Sequence, residues 1–289
     1  MIGIDLGSNT LRACKMDENG DILWDFERIV GSARNMDANG LATDAKERII
    51  KALNELRIER DLSGQYFAAA TAAFRKAKNA SDFLNFIKNE LNIDFSVISG
   101  DDEAQFVRMG INERLKKLGI SDKNAVFIDL GGASTEISYN EGFKSFDFGI
   151  VSYVNAFKND YSKICEVVSV AKDFISSFDI SSIILSSGVP TSVAGLKIGL
   201  NYANYDAKKV NGMRLKNSDF DEIYAKIIAS DDKDTLVGKN RADILCAGIM
   251  LLKELLSTVN APFVVIDDGL REGLCAGLFK GILEAKVLK

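Results

Sequence analysis

The sequence predicts an α/β protein built from two related domains that face a shared cleft. Three observations carry this: each half opens on a run of three β-like segments, each continues as alternating helices and strands, and each places an Asp-Gly loop directly after its first strand. The loops are Asp5-Leu6-Gly7-Ser8-Asn9 and Asp129-Leu130-Gly131-Gly132-Ala133-Ser134. The chain has 289 residues, 47% of them hydrophobic, enough for two medium cores. The expected domains are 1–118 and 119–289, with a hinge over 119–124.

In the first half, residues 1–6, 10–16 and 21–28 alternate as strands. Gly7-Ser8-Asn9 and Asp17-Glu18-Asn19-Gly20 separate them as turns. Thr43-Asp44 marks a helix start, and Ile49, Ile50, Leu53 and Leu56 recur at helical spacing up to residue 59. A buried strand follows at 65–70. Ser81-Asp82 caps a helix carrying Phe83, Leu84, Phe86, Ile87 and Leu91; 95–98 is a short strand, and Asp101-Asp102 caps a helix to residue 117.

The same order restarts with strands at 125–129, 136–140 and 144–148, followed by helical sequence over 154–177. A strand at 182–186 precedes helices at 191–199, 218–229 and 241–256. A strand at 262–266 and a helix at 270–283 complete the second domain. This is a repeat of topology and loop chemistry, with insertions in the second copy. Two such units turn their glycine loops toward one cleft, and ligands favour domain interfaces.

The formal net charge of −5 opposes a general affinity for nucleic acid or acidic membranes, so a polyanionic ligand must meet locally placed cations. No apolar run approaches a membrane span, and the opening residues Met1–Asp5 lack the basic start of a signal or transit peptide. The four cysteines are far apart, without finger spacing, as expected of reduced thiols in the cytoplasm. The absence of histidine excludes every Ser-His, Cys-His and His-ligated metal mechanism. Catalysis must rest on carboxylates, backbone amides and a hard metal.

In the first loop, Gly7 supplies the φ freedom of a tight turn, and backbone N–H groups with the Ser8 and Thr10 hydroxyls can cradle phosphate. Asp5 ends a buried strand, which suits a magnesium site; alone, such a hairpin is better explained by an Asp capping its own turn. The second loop adds two adjacent glycines, the Ser134 and Thr135 hydroxyls, and Glu136. Asp129 and Glu136 flank one turn and can converge on Mg²⁺ beside phosphates.

Glu103 lies in the first turn of a helix, after Ser99-Gly100-Asp101-Asp102. Acids are favoured there whatever the function, and a cleft-facing Glu103 would also orient a water for attack on phosphorus. Spacing alone does not choose. Arg75, Arg241 and Arg271 are the candidate local cations, and Ser187-Gly188 follows a strand at the ligand side of an α/β sheet.

Taken together, Asp5 to Asn9, Thr71 with Arg75 to Asn79, Ser99-Gly100 with Glu103-Ala104, Asp129 through Glu136, Arg241-Ala242-Asp243-Ile244 and Leu270-Arg271-Glu272-Gly273 resemble the exopolyphosphatase/guanosine pentaphosphate phosphohydrolase family along the whole chain. The resemblance implies a duplicated ribonuclease-H-like fold of the actin, Hsp70 and acetate-kinase type. It assigns Glu103 to catalysis, Asp129 and Glu136 to magnesium, and Gly7, Ser8, Asn9, Arg75, Gly131, Gly132, Ala133 and Ser134 to the phosphate grip; Asp5 is added to the metal site as a helper on the reading of its loop. Ser187, Gly188, Arg241 and Arg271 are the further substrate contacts.

Three departures stand out: Ala133 replaces a third loop glycine and requires negative φ there, Gln105 replaces an arginine, and Ser152 replaces another. The chain resembles the short, two-domain form.

The expected activity is Mg²⁺-dependent release of the terminal phosphate of polyphosphate or guanosine pentaphosphate by water, in the cytoplasm, with a homodimer as the expected assembly. The alternatives are a kinase of the same fold, for which no acceptor base is evident, and a non-catalytic polyphosphate or alarmone sensor, suggested by the three departures.

Overall fold

The computed structural model describes residues 1–140, 142–158 and 160–287. The chain divides into two compact units, Met1–Glu113 with the segment from Asp268 onward, and Arg114–Asp267.

The first unit holds β1 (Ile2–Leu6), β2 (Thr10–Met16), β3 (Ile22–Ile29), α1 (Thr43–Glu59), β4 (Gln65–Ala70), α2 (Ala72–Lys76), α3 (Ala80–Leu91), β5 (Phe95–Val97) and the first part of α4 (Gly100–Leu118). The meander β1-β2-β3 is antiparallel, β4 adds to β1 in parallel, and β5 adds to β4 in parallel. Helix α1 buries Ala45, Ile49, Ala52, Leu53 and Leu56, one stripe at helical spacing, and packs beside α3. Each large aliphatic side chain in that stripe contributes about 1.5–3 kcal/mol by leaving water.

The second unit holds β6 (Ala125–Leu130), β7 (Thr135–Tyr139), β8 (Gly142–Phe146), α5 (Ile150–Phe157), α6 (Ile164–Ser176), β9 (Ser182–Ser186), α7 (Gly188–Lys197), α8 (Ala207–Val210), β10 (Arg214–Leu215), α9 (Asn217–Ala229), α10 (Lys233–Val237), α11 (Ala242–Leu255) and β11 (Phe263–Val265). Its sheet runs β10-β11-β9-β6-β7-β8. Removing the edge strand β10 leaves the first unit's order, with β6, β7, β8, β9 and β11 in the places of β1 to β5. This is the ribonuclease-H-like duplication expected from the sequence. The insertion between β9 and β11, from α8 to α10, explains the greater length of the second copy.

The last helix, α12 (Leu270–Phe279), and strand β12 (Lys286–Val287) depart from the expected division. Helix α12 packs on β1, β2 and β4, and β12 pairs antiparallel with β4, so the chain's last segment belongs to the first unit. The reason is steric. A Cβ on Gly3 would stand 2.0 Å from the Arg271 carbonyl oxygen, and one on Gly273 would stand 1.8 Å from that of Phe106. Bare backbone at these places lets α12 lie directly on β1 and on the start of α4. The unit boundary consequently falls inside α4, between Glu113 and Arg114, and not at the expected hinge after Leu118.

Two further features are local. The helical sequence over 154–177 is two helices separated by a short 3-10 turn, and Arg75 lies in the short helix α2. Among the described residues no helix is long and apolar enough to cross a membrane.

Candidate active site

Each unit carries its own constellation at the end of its central strand. In the first unit Asp5 is the last residue but one of β1, and its carboxylate lies 3.8 Å from where a Cβ on Gly7 would stand. The turn closes by Gly7 N–H donating to the Thr10 carbonyl at 2.9 Å. Gly7 is not in the left-handed region, so the φ freedom expected of it is not used. What it provides is bare backbone. The N–H groups of Ser8 and Asn9 have no acceptor among the described residues, an arrangement able to hold an anion.

Glu103 stands on the first turn of α4. That turn is capped by Ser99, whose hydroxyl donates to Asp102 Oδ2 at 2.7 Å and accepts from Asp102 N–H at 3.0 Å. The cap is therefore Ser99, with Asp102 as its reciprocal partner, and not the Asp101-Asp102 pair. Asp101 and Asp102 are exposed, whereas Glu103 turns inward. Arg75 Nη1 donates to Glu103 Oε2 at 2.7 Å and to the Ile98 carbonyl at 3.0 Å.

The Thr71 hydroxyl also bonds the Glu103 carboxyl, and the Thr71 N–H donates to the Leu6 carbonyl at 3.2 Å, one residue before Gly7. Thr71 thereby ties the acid to the loop. Burial raises the Glu103 pKa above its ordinary value, outweighing the lowering by Arg75 and Thr71. A carboxyl raised toward neutrality is suited to accept a proton from water.

In the second unit Asp129, near the end of β6, lies directly opposite Glu136 on β7, with Ser186 of β9 beside Asp129 and Ser145 of β8 beside Glu136. Residues paired in this way project from the same face of a sheet. The row Ser186-Asp129-Glu136-Ser145 is thus four oxygen-bearing side chains abreast. Glu136 is buried and accepts from the Ser145 hydroxyl at 2.8 Å.

The row in the first unit reads Ala69-Asp5-Arg12-Glu27, with Arg12 Nε 3.2 Å from Glu27 Oε2. Arg12 occupies the place of Glu136. The two Asp-Gly loops are therefore alike in backbone and opposite in the charge of the neighbouring strand. The signal lies in the sequence as the same spacing, Asp5 to Arg12 and Asp129 to Glu136, once strand register is known.

The second loop is held from behind. The N–H groups of Ile150, Val151 and Ser152 at the start of α5 donate to the carbonyls of Gly131 (2.9 Å) and Gly132 (2.7 and 3.0 Å). Because a trans peptide sets its N–H opposite its carbonyl, these bonds turn the N–H groups of Gly132 and Ala133 away from the helix. The Gly132, Ala133 and Ser134 N–H groups have no acceptor among the described residues. Gly149 allows the approach, since a Cβ there would stand 2.6 Å from Ala133 N.

The donor set in this unit fits a hard cation. It is all oxygen, with Asp129 and Glu136 side by side, and no group of three or more acids or cysteines that could hold a metal ion gathers among the described residues. Such a pair suits Mg²⁺, which keeps several waters and takes phosphate oxygens as its other ligands.

The remaining predicted residues fall outside these rows. Ser187 follows β9 with φ 81° and ψ 174°, a backbone region that belongs almost solely to glycine, and its hydroxyl is buried without a hydrogen bond among the described residues. Gly188 begins α7. Arg241 lies over the Tyr202 ring, 5.9 Å from its centroid. Arg271 is buried with its Nε 2.5 Å from Glu272 Oε1, and Glu272 in turn accepts from Gly269 N–H at 2.8 Å. The Arg271 charge is thus engaged in fixing the start of α12.

The profile of the Ppx/GppA phosphatase family matches residues 29–281. The chain belongs to this family. An exopolyphosphatase from Cytophaga hutchinsonii shares its fold with a TM-score of 0.83 and 23% identity, over 96% of this chain and 97% of that one. A bifunctional 3-dehydroquinate synthase/phosphatase of Fusobacterium nucleatum is 24% identical over 96% of this chain and 46% of its own length. A guanosine-5'-triphosphate,3'-diphosphate pyrophosphatase of Aeromonas salmonicida is 25% identical over 72% of this chain and 44% of its own length. The chain spans a little under half the length of these last two.

The three departures from the Ppx/GppA pattern have local explanations. Ala133 has negative φ, so its methyl group carries no backbone strain. Ser152 caps α5, its hydroxyl accepting from Gly149 N–H at 2.9 Å and donating to the Gly149 carbonyl at 3.0 Å. Gln105 is exposed on the solvent side of α4.

Proposed function

We propose that the chain is a magnesium-dependent hydrolase that releases the terminal phosphate of inorganic polyphosphate, of guanosine pentaphosphate, or of both, in the cytoplasm. The observation that carries this reading is the placement of Glu103: one inward-turned carboxylate, raised in pKa by burial, clamped by Arg75 and tied through Thr71 to the Asp5-Gly7 loop.

In the proposed reaction, water attacks the terminal phosphorus and Glu103 takes its proton. The bridging P–O bond breaks, and the shortened substrate leaves with the electron pair. The loop N–H groups of Ser8 and Asn9, and of Gly132, Ala133 and Ser134, hold phosphate oxygens. Asp129 and Glu136 would hold the Mg²⁺, which would supply charge neutralisation on the phosphates. Phosphoryl transfer depends mainly on such positioning and charge stabilisation.

The sensor alternative drew on Ala133, Gln105 and Ser152, and none of these disturbs the residues just named. The deciding assay is phosphate release from short polyphosphate, long polyphosphate, guanosine pentaphosphate and ATP, each with and without Mg²⁺. Tight Mg²⁺-dependent binding without turnover of any of them would replace the hydrolase with a sensor.

A further inference from the structure

The loop Gly7-Ser8-Asn9 is backed by a strap, residues 30–34, that follows β3. Val30 and Gly31 N–H groups donate to the Asn9 carbonyl at 2.9 and 2.8 Å, and Ala33 N–H donates to the Ser8 carbonyl at 2.8 Å. These bonds draw the loop carbonyls onto the strap and so turn the Asn9 N–H the opposite way. The strap does for this loop what the start of α5 does for the other.

The strap is itself fixed from α1. Arg48 Nε donates to the Val30 carbonyl at 2.7 Å, Nη2 to the Gly31 carbonyl at 3.3 Å, and Nη1 to Asp44 at 2.7 Å. Gly31 (φ 57°) and Asn35 (φ 58°) are both left-handed, which bends the strap at either end. Arg34 is folded back across it, its Nε 3.8 Å from where a Cβ on Gly31 would stand.

Three polar groups at this junction have unused capacity. The Arg34 guanidinium is half-buried and makes neither an ion pair nor a hydrogen bond among the described residues. Ser32 Oγ and Asn9 Oδ1 are buried and likewise without partners there. In an acidic chain whose neighbouring cations, Arg48 of α1 and Arg12 of β2, are already paired with carboxylates, Arg34 is left with charge to offer an anion.

We propose that Arg34 is a further substrate-contacting residue of the first unit, taking a phosphate group other than the one released. The inference rests on the hydrolase reading above for the identity of the substrate. Its chemistry is the arginine fork, which matches two oxygens of one phosphate group.

The test compares Arg34→Gln and Arg34→Lys with the unaltered chain in phosphate release from tripolyphosphate and long-chain polyphosphate at two salt concentrations. Binding of tripolyphosphate with Mg²⁺ is measured by calorimetry in a Glu103→Gln background, where turnover is expected to be slowed. Arg34→Gln is expected to raise KM and Kd about tenfold, as for loss of one charge-assisted contact at a half-exposed site. Its kcat should stay within about twofold, its salt dependence should become shallower, and Arg34→Lys should recover part of the loss.

Unchanged KM and Kd overturn the proposal. So does a fall in kcat with a lowered Tm and unchanged KM, which would make Arg34 a structural residue. If the unaltered chain releases phosphate from no phosphoanhydride, the hydrolase reading falls and the calorimetric comparison still decides Arg34. If the Glu103→Gln protein binds no tripolyphosphate, both fall.

Discussion

Arg75 Nη1 stands 2.7 Å from Glu103 Oε2, and the Glu103 carboxyl nonetheless titrates above its ordinary range. Burial costs the carboxylate more than the arginine returns. That balance is what a buried general base needs. Beside its guanidinium it holds a proton more readily than a solvated acid does.

The first prediction concerns rate. Glu103→Gln keeps the shape and the acceptor for Arg75 but cannot take a proton, so kcat is expected to fall by roughly 10² or more, the ordinary contribution of a positioned base. Steady-state phosphate release measures it. Near-normal turnover in a folded variant would remove Glu103 from the mechanism.

The second prediction concerns pH. A carboxyl whose folded pKa exceeds its unfolded value binds more protons folded than unfolded, so its stabilising contribution is present below the ordinary value of 4.5 and is lost as pH rises through the folded pKa. Glu103→Gln should therefore gain in Tm relative to the unaltered chain at neutral pH and lose that advantage near pH 4. For activity, Arg75→Met removes a cause that lowers the pKa, so the acidic limb of kcat/KM should move to higher pH. An unmoved limb would mean that the limb reports another group.

Much of this was legible in the sequence, for identifiable reasons. The meanders, α1 and the loops follow from alternation, helical spacing and turn residues, and the position of Glu103 on a first helical turn follows from the helix start after Ser99-Gly100, whereas its proposed role rests on the family resemblance. What was not legible depends on pairing across distance. The row Ser186-Asp129-Glu136-Ser145 exists only once strand register is known, and Arg12 enters as the counterpart of Glu136 for the same reason. The placement of α12 depends on glycines at 3, 110 and 273 meeting backbone from distant segments, which no local pattern encodes.

The third prediction follows from that packing. Gly273 lies against the Phe106 carbonyl, where an added Cβ would stand 1.8 Å away. Backbone cannot yield as a side-chain tip does, so Gly273→Ala must push α12 and α4 apart. Overpacking of this kind typically costs about 1–3 kcal/mol. Because Glu103 sits one turn before Phe106 on α4, the variant should lose both stability in urea and kcat. A loss of stability with unchanged kcat would show that the start of α4 is held by Arg75 and Thr71 alone.

The fourth prediction uses Ser187. Its φ of 81° and ψ of 174° strain any residue with a Cβ, at about 1–3 kcal/mol. Glycine adopts this backbone freely but gives the unfolded chain more entropy, about 0.5–1 kcal/mol. Ser187→Gly should therefore stabilise the protein by roughly 1 kcal/mol, the difference of these terms. Urea denaturation measures it. If KM rises while stability does too, the strained serine serves substrate binding; a more stable variant with unaltered kinetics would limit Ser187 to a backbone role.

The fifth prediction separates the two loop acids. Asp129 lies beside Glu136, whereas Asp5 lies beside Arg12. A cation is attracted to paired carboxylates and repelled by a guanidinium, so metal affinity should depend chiefly on the second unit. Asp129→Asn is expected to raise the Mg²⁺ concentration for half-maximal activity by tenfold or more, on the order of the loss of one charged ligand. Asp5→Asn should lower kcat with a smaller change in that concentration. Chelation of Mg²⁺ should abolish phosphate release in the unaltered chain. A titration in which Asp5→Asn shifts the Mg²⁺ requirement as far as Asp129→Asn would reverse the assignment, since Arg12 would then have to be neutralised by Glu27 well enough for Asp5 to take part in holding the metal.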